Sequence, residues 1–240
     1  MKEVYHKWYS QYLNKEMEML VFGHEGYPLI LFPTAKGRYF ECKDFGLIDS
    51  ISDLIDSGKI KVYCPDGFDS ENWFNYDILP CERVKNYINY EHAILYDVIE
   101  FAKHETEREK VGIAGCDFGG YHAVNIAMKH PNLIDNLISI SGLLDIKQFI
   151  WGYYDDNCYF NNPLDYLPNL TDSWYLEKIR TMGIILGIVE NDDYTFQNKK
   201  LSGILASKSI NNWLDIRSDA NHDWKLWTQL FPKYLKSINL

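Results

Sequence analysis

The chain has 240 residues, 46% apolar and 15% aromatic, enough for one α/β domain with a sizeable core and too few for two comfortable ones. Its net charge of −10 argues against a nucleic-acid partner held through phosphates and offers nothing to an anionic membrane surface. The N-terminal MKEVYHKWYSQYLNKEMEML lacks an apolar core of signal-peptide length, and no run of about 18 apolar residues occurs in the sequence.

In chain order, HKWYSQYL and EMEMLVFG read as two antiparallel strands, the second alternating its side chains across two faces. PLILFP (28–33) is a continuous apolar run between prolines, as for a strand buried on both faces. GLIDSISDLIDSG then spaces Leu47, Ile48, Ile51, Leu54 and Ile55 as a helix ending in glycine. KIKVYCPDG reads as a strand, RVKNYINYEHAILYDVIEFAKHE as a long helix, KVGIAGC as a strand, GGYHAVNIAMKH as a helix and NLISISGL as a sixth strand. An aromatic and Asn-rich stretch follows, read as a small, irregular, cap-like insertion over about 145–178 with one short helix. MGIILGIVEND, NKKLSGILASK, NWLDIRS and DWKLWTQLFPKYLKSI complete the alternation as strand, helix, strand and helix. The pattern predicts a single α/β domain over 1–240, a mostly parallel sheet with helices on both faces and sites beyond the carboxyl ends of the strands.

The stretch GCDFGG (115–120) joins a strand to a helix with small residues two before and two after Asp117. That is the layout of a nucleophile elbow, G-x-S-x-G, with aspartate where a hydrolase carries serine. Gly115 and Gly119 leave room for close backbone approach, and Gly120 adds more. A Gly-rich turn with an aspartate N-cap is also an ordinary structural feature. Position favours function. VENDD ends a strand and places Asp192 or Asp193 at its carboxyl edge, and ANHDW places His222 before the last helix. Elbow, acid and histidine then follow the chain order of an α/β-hydrolase triad. His222 has a plainer reading as a helix-start residue, with Asp223 as the N-cap, and His122 reads as a packed or hydrogen-bonded helix residue.

At these motifs the sequence resembles the esterase branch of the α/β-hydrolases, related to esterase D and S-formylglutathione hydrolases. The resemblance runs over nearly the whole chain, through EMEMLVFGHEGYPLILFPTAKGRYFECKDFG, GCDFGGYHAVNIAMKHPNLIDNLISISGLLDI, GYYDDNCYFNNPLDYLPNL and NHDW. It implies the α/β-hydrolase fold and a hydrolase of small acyl esters or thioesters. Asp117 takes the nucleophile place, Asp192 that of the triad acid and His222 that of the base. The Phe118 N–H would be one oxyanion donor, and a backbone N–H of PTAKG near Thr34 or Ala35 the other.

Aspartate alters that chemistry. A carboxylate, with a conjugate-acid pKa of about 4, is a better leaving group than any alcohol, so its adduct with an ester falls back to reactants. Loss of esterase activity is the direct expectation, leaving a silent relative that binds a ligand or partner. Carboxylates do attack saturated carbon, as in α/β-hydrolases of the haloalkane dehalogenase and epoxide hydrolase kind, which gives a third reading. Leaving-group donors for it would be sought among Trp151, Tyr153, Tyr154 and Trp174, whose plainer role is the wall of an apolar pocket or plain core. Two carboxylates flanking His222 would raise its pKa.

No cofactor is expected, since neither a dinucleotide nor a P-loop motif is present and no His/Cys spacing suits a metal. Asp155 and Asp156 read as Asx-turn residues rather than calcium ligands. The five scattered cysteines read as free thiols in a reducing compartment, so a cytoplasmic location is expected. The expected partner is a small acyl ester or related ligand, not a nucleic acid or a membrane, with a homo-oligomer left open.

Overall fold

The computed structural model describes residues 1–218 and 220–238. Eight strands form one sheet: β1 (Glu3–Ser10), β2 (Lys15–Phe22), β3 (Tyr27–Phe32), β4 (Ile60–Pro65), β5 (Val111–Cys116), β6 (Ile134–Ile140), β7 (Gly183–Val189) and β8 (Trp213–Arg217). Their spatial order is β1-β2-β4-β3-β5-β6-β7-β8. The β1–β2 and β2–β4 pairings are antiparallel, and every pairing from β4 to β8 is parallel.

The apolar run of β3 has a simple cause. Leu29 and Leu31 enter one core cluster while Ile30 and Phe32 enter the other, on the opposite face. Both faces are covered, so neither needs polar residues. Among the described residues, ten α-helices do the covering: α1 (Glu41–Asp44), α2 (Ser52–Asp56), α3 (Pro80–Ala93), α4 (Glu100–Thr106), α5 (Phe118–Lys129), α6 (Asp156–Phe160), α7 (Pro163–Tyr166), α8 (Ser173–Arg180), α9 (Thr195–Ser207) and α10 (Trp224–Leu235). Side chains of α3, α5 and α9 fill one cluster, and those of α2 and α10 fill the other. None of the described helices is long and apolar enough to cross a membrane.

Several boundaries differ from the sequence pattern for identifiable reasons. The first strand ends at Ser10 rather than continuing to Leu13, because Ser10 pairs with Lys15 and residues 11–14 make the turn. Tyr12 and Leu13 fold back from that turn onto the core, so their apolar character imitates a longer strand. The long helix starts at Pro80, suited to the first helical turn, and a π-helical stretch, Ile94–Ile99, separates α3 from α4.

The segment between β6 and β7 holds α6, α7 and α8 rather than one short helix. It is fastened to the body. Buried Arg83 of α3 donates to the Phe149 carbonyl at 2.6 Å, and its guanidinium lies 4.4 Å from the Trp151 ring centre and 4.9 Å from that of Tyr76. From α5, Tyr121 donates to the Asn161 carbonyl at 2.9 Å and Asn125 to its side-chain oxygen at 3.0 Å.

Strand order reverses direction beside β3 and β5. The chain runs from β3 outward to β4 and then crosses back to β5 on the other side of β3. In open α/β sheets the crevice at such a switch point, outside the carboxyl ends of the strands, is where ligands bind. The loop after β3 and the turn after β5 meet there.

Candidate active site

The turn between β5 and α5 is built on close backbone approach. A Cβ on Gly115 would run into the Gly119 carbonyl, and one on Gly119 into the Pro33 carbonyl. Glycine at both positions lets strand, helix and the neighbouring β3 loop nest together. Asp117 between them has φ 52° and ψ −123°, a left-handed conformation that a non-glycine residue holds at a cost of about 1–3 kcal/mol. Its own N–H donates to the Ile140 carbonyl at 2.9 Å, and its carbonyl accepts from the Gly120 N–H at 3.0 Å. The side chain caps nothing in its own helix. It points instead toward other strands' loops.

Three of the residues singled out in the sequence come together here. His222 Nδ1 lies 2.6 Å from Asp192 Oδ2, and Nε2 lies 3.6 Å from Asp117 Oδ1, an ion-pair separation rather than a hydrogen bond. The Asp192 side chain is 1% exposed and accepts the Tyr194 N–H on its other oxygen at 2.9 Å. Of the two acids at this strand end, Asp192 is therefore the one joined to His222. Asp223 serves as the N-cap of α10, accepting the Leu226 N–H at 2.9 Å, which leaves the neighbouring His222 free for these contacts. The imidazole is flanked by the rings of Trp227 and Tyr194, with centres 5.1 and 6.0 Å away.

Burial acts to lower the His222 pKa, but the facing Asp117 and the hydrogen-bonded Asp192 overcome it and push the value up to about 9. At neutral pH the imidazole is a cation between two carboxylates. Burial, with Asp117 and Asp192 close by, also raises the Tyr194 hydroxyl pKa.

The expected backbone donors differ in what they do. The Ala35 N–H donates to Asp117 Oδ2 at 3.1 Å. The Thr34 N–H turns away and donates to Glu41 Oε2 at 2.7 Å. Phe118 opens α5, so its N–H is one of those at a helix start that have no partner within the helix.

The three aromatic residues expected as a pocket wall sit within the β6–β7 segment. Trp151 is 65% exposed and stacks on Tyr76. The Tyr153 hydroxyl donates to Asp155 at 2.8 Å and that of Tyr154 to Asp165 at 2.5 Å. Trp174 starts α8 and is exposed. Asp155 caps α6 by accepting the Cys158 N–H at 2.8 Å, in keeping with an Asx-turn role.

Residues that sequence reasoning passed over support the turn from within the core. Phe74 and Phe149 pack against Phe118 with ring centres 5.0 and 5.5 Å away, and the Lys36 ammonium lies 5.2 Å from the Phe74 ring centre. Neither phenylalanine falls in a recognisable motif, and only the tertiary fold brings them to the residue after Asp117.

A mostly parallel sheet in this strand order, with helices on both faces, is the architecture of an α/β-hydrolase. The chain belongs to the family described as "Putative esterase", whose profile matches residues 10–238. Solved structures share the fold at low identity. An S-formylglutathione hydrolase from Agrobacterium tumefaciens superposes with a TM-score of 0.75 at 14% identity, over 98% of this chain and 93% of that one. A CE1 ferulic acid esterase from the anaerobic fungus Anaeromyces mucronatus gives 0.72 at 15% identity, over 98% and 90%. An S-formylglutathione hydrolase from Staphylococcus aureus gives 0.69 at 12% identity, over 98% and 97%. A comparison with curated protein sequences found no significant match.

Proposed function

We propose that this protein carries the pocket of a hydrolase of small acyl esters or thioesters, with Asp117 in the place of the serine nucleophile and acyl transfer thereby held off. One contact carries the reading: the Ala35 N–H already donates to Asp117 Oδ2, at 3.1 Å. A donor placed to meet charge on a substrate's carbonyl oxygen meets the protein's own carboxylate instead. His222, protonated at neutral pH through Asp117 and Asp192, has no free lone pair with which to accept a proton from water or an alcohol. Attack of the carboxylate on an ester would form an anhydride, and its tetrahedral adduct would expel the carboxylate before the alkoxide. Membership of the esterase family supports the substrate class.

The test compares the protein with its Asp117→Ser form on p-nitrophenyl acetate and butyrate, with His222→Ala added as the control. The Ser form should hydrolyse both esters faster by about 10²–10³, and the histidine change should remove the gain. An Asp117 form that equals or exceeds the Ser form would overturn the reading.

One observation favours a second reading, displacement at saturated carbon by Asp117. Oδ2 is held by Ala35 while Oδ1 faces His222. Attack by Oδ1 would expel a halide or open an epoxide and leave an alkyl ester whose carbonyl oxygen is already held by a donor. Asp117 would lose its charge on alkylation, so His222 would become more easily deprotonated and able to activate water for hydrolysis. Turnover of a short haloalkane in heavy-oxygen water, with label recovered in Asp117, is the result this reading requires.

A further inference from the structure

Ala35 is the middle one of three consecutive amides, and both of its neighbours are tied to carboxylates. The Thr34 N–H donates to Glu41 Oε2 at 2.7 Å, and the Thr34 hydroxyl lies 3.0 Å from each oxygen of that carboxylate. The Lys36 N–H donates to Asp69 Oδ2 at 3.1 Å. The other oxygen of Asp69 lies 2.9 Å from His122 Nε2, and both side chains are 1% exposed. A carboxylate needs a donor, so His122 presents Nε2–H to it. The His122 ring is enclosed by Phe32, Tyr90 and Phe118, with centres 5.0–5.4 Å away.

This arrangement is costly. Carboxylates withdrawn from water are expensive unless every lone pair finds a donor, and here buried Asp69 and half-buried Glu41 stand close to Asp117. Burial raises the Glu41 pKa, its bonds to Thr34 oppose the rise, and the nearby charges of Asp117 and Asp69 add to it. Lys36 meanwhile holds φ 59°, a strained choice for a non-glycine residue. Gly37 has no room for a side chain because the Glu41 carboxylate lies where its Cβ would go.

We infer that Glu41 and the Asp69–His122 pair are positioning residues that clamp the amides on either side of Ala35 and so aim the Ala35 N–H at the side chain of residue 117. The three parts come from different places. Glu41 opens α1, Asp69 lies beyond the end of β4, and His122 is in α5, five residues after Asp117. Through Lys36, Asp69 and His122, the donor loop after β3 is held to the same helix that carries its acceptor. The geometric claim stands independently; its catalytic consequence, that these groups set oxyanion stabilisation, rests on the proposed function.

The experiment separates the two. Asp69→Asn and Glu41→Gln keep an acceptor for the neighbouring amide, whereas Asp69→Ala and Glu41→Ala remove it. In the protein with Asp117 retained, the Ala35 amide proton should resonate downfield, shift upfield in both alanine forms, and stay near its original place in the asparagine and glutamine forms. In the Asp117→Ser background, the alanine forms should lose about tenfold or more in kcat on p-nitrophenyl butyrate with KM little changed, and the conservative forms should recover most of it. Should Asp69→Ala fail to fold, Glu41→Ala carries the test alone, since Glu41 is only partly buried. An unmoved Ala35 resonance in a folded alanine form overturns the clamp. A resonance that moves while no Ser form turns over an ester supports the clamp and defeats the esterase reading instead.

Discussion

Asp117 Oδ1 and His222 Nε2 face each other across 3.6 Å as an ion pair. With Asp192 on the far nitrogen at 2.6 Å, the imidazole is held by carboxylates at both ends. A serine hydroxyl in the place of Asp117 would bring no charge, so the state of the histidine is set by the residue opposite it.

The first prediction concerns that state. An NMR titration should give His222 a pKa of about 9, and Asp117→Asn should lower it by removing one of the two charges. The folded value lies above that of an unfolded histidine, about 6.5. The resulting stabilisation is complete below the unfolded value and is lost as pH rises through about 9. The melting temperature of the natural form should therefore fall more between pH 7 and 9 than that of Asp117→Asn. Parallel melting curves for the two forms would remove Asp117 as the cause.

A kinetic consequence follows for the Asp117→Ser form. Its His222 keeps Asp192 but loses the second carboxylate, so the basic group seen in kcat/KM should titrate well below 9. Activity should rise with pH and level off before the alkaline range. A profile still climbing at pH 9 would show that Asp192 and burial alone set the histidine, and that Asp117 is not what keeps it protonated.

The fold and the main cluster were legible in the sequence because both depend on short-range pattern. Gly115 and Gly119 around Asp117 mark a turn that only small residues permit, and Asp192 and His222 each lie in a segment after a strand, Gly183–Val189 and Trp213–Arg217. The supporting groups had no such signal. His122 and Asp69 are 53 residues apart, and each alone reads as an ordinary polar residue near a helix start. Phe74 and Phe149 are two phenylalanines among 12, distinguished only by what the fold places them against. The π-helical stretch Ile94–Ile99 is equally hidden, since its apolar spacing over so few residues is close to that of an α-helix. Thr34 and Ala35 show the finest limit: sequence placed the loop, while a carboxylate seven residues away decides which amide points where.

Two glycine substitutions should have opposite signs. Gly119→Ala sets a methyl group against the Pro33 carbonyl, and backbone cannot swing aside as a side chain can. A loss on the order of 3 kcal/mol is expected, measured by urea unfolding. Gly203 lies within α9, and an added Cβ there meets nothing within 4 Å. Gly203→Ala should stabilise the protein by about 0.5–1 kcal/mol through helix propensity. Equal losses at the two positions would refute the claim that close approach, rather than glycine as such, matters at the turn.

The last prediction takes the protein to low pH. Glu91 of α3 is 3% exposed and holds Lys129 Nζ at 2.5 Å and His130 Nε2 at 2.7 Å. Burial alone would raise its pKa, but the bond to His130 and the charge of Lys129 overcome that and leave it lowered. A carboxylate whose folded pKa lies below its unfolded one stabilises the protein above the unfolded value and ceases to do so as pH falls through the folded one. Glu91→Ala should therefore cost about 3 kcal/mol at pH 7, the lower end for breaking a buried pair. Lys129 keeps its bond to Asn161 at 2.7 Å, which argues against a larger value. The gap between natural and Glu91→Ala proteins should narrow on acidification below about pH 4.5, the ordinary glutamate range. Urea unfolding at pH 7 and at pH 3 measures it. A gap of the same size at both would mean that Glu91 acts through packing, and that its charge contributes nothing to holding α3 against the end of α5.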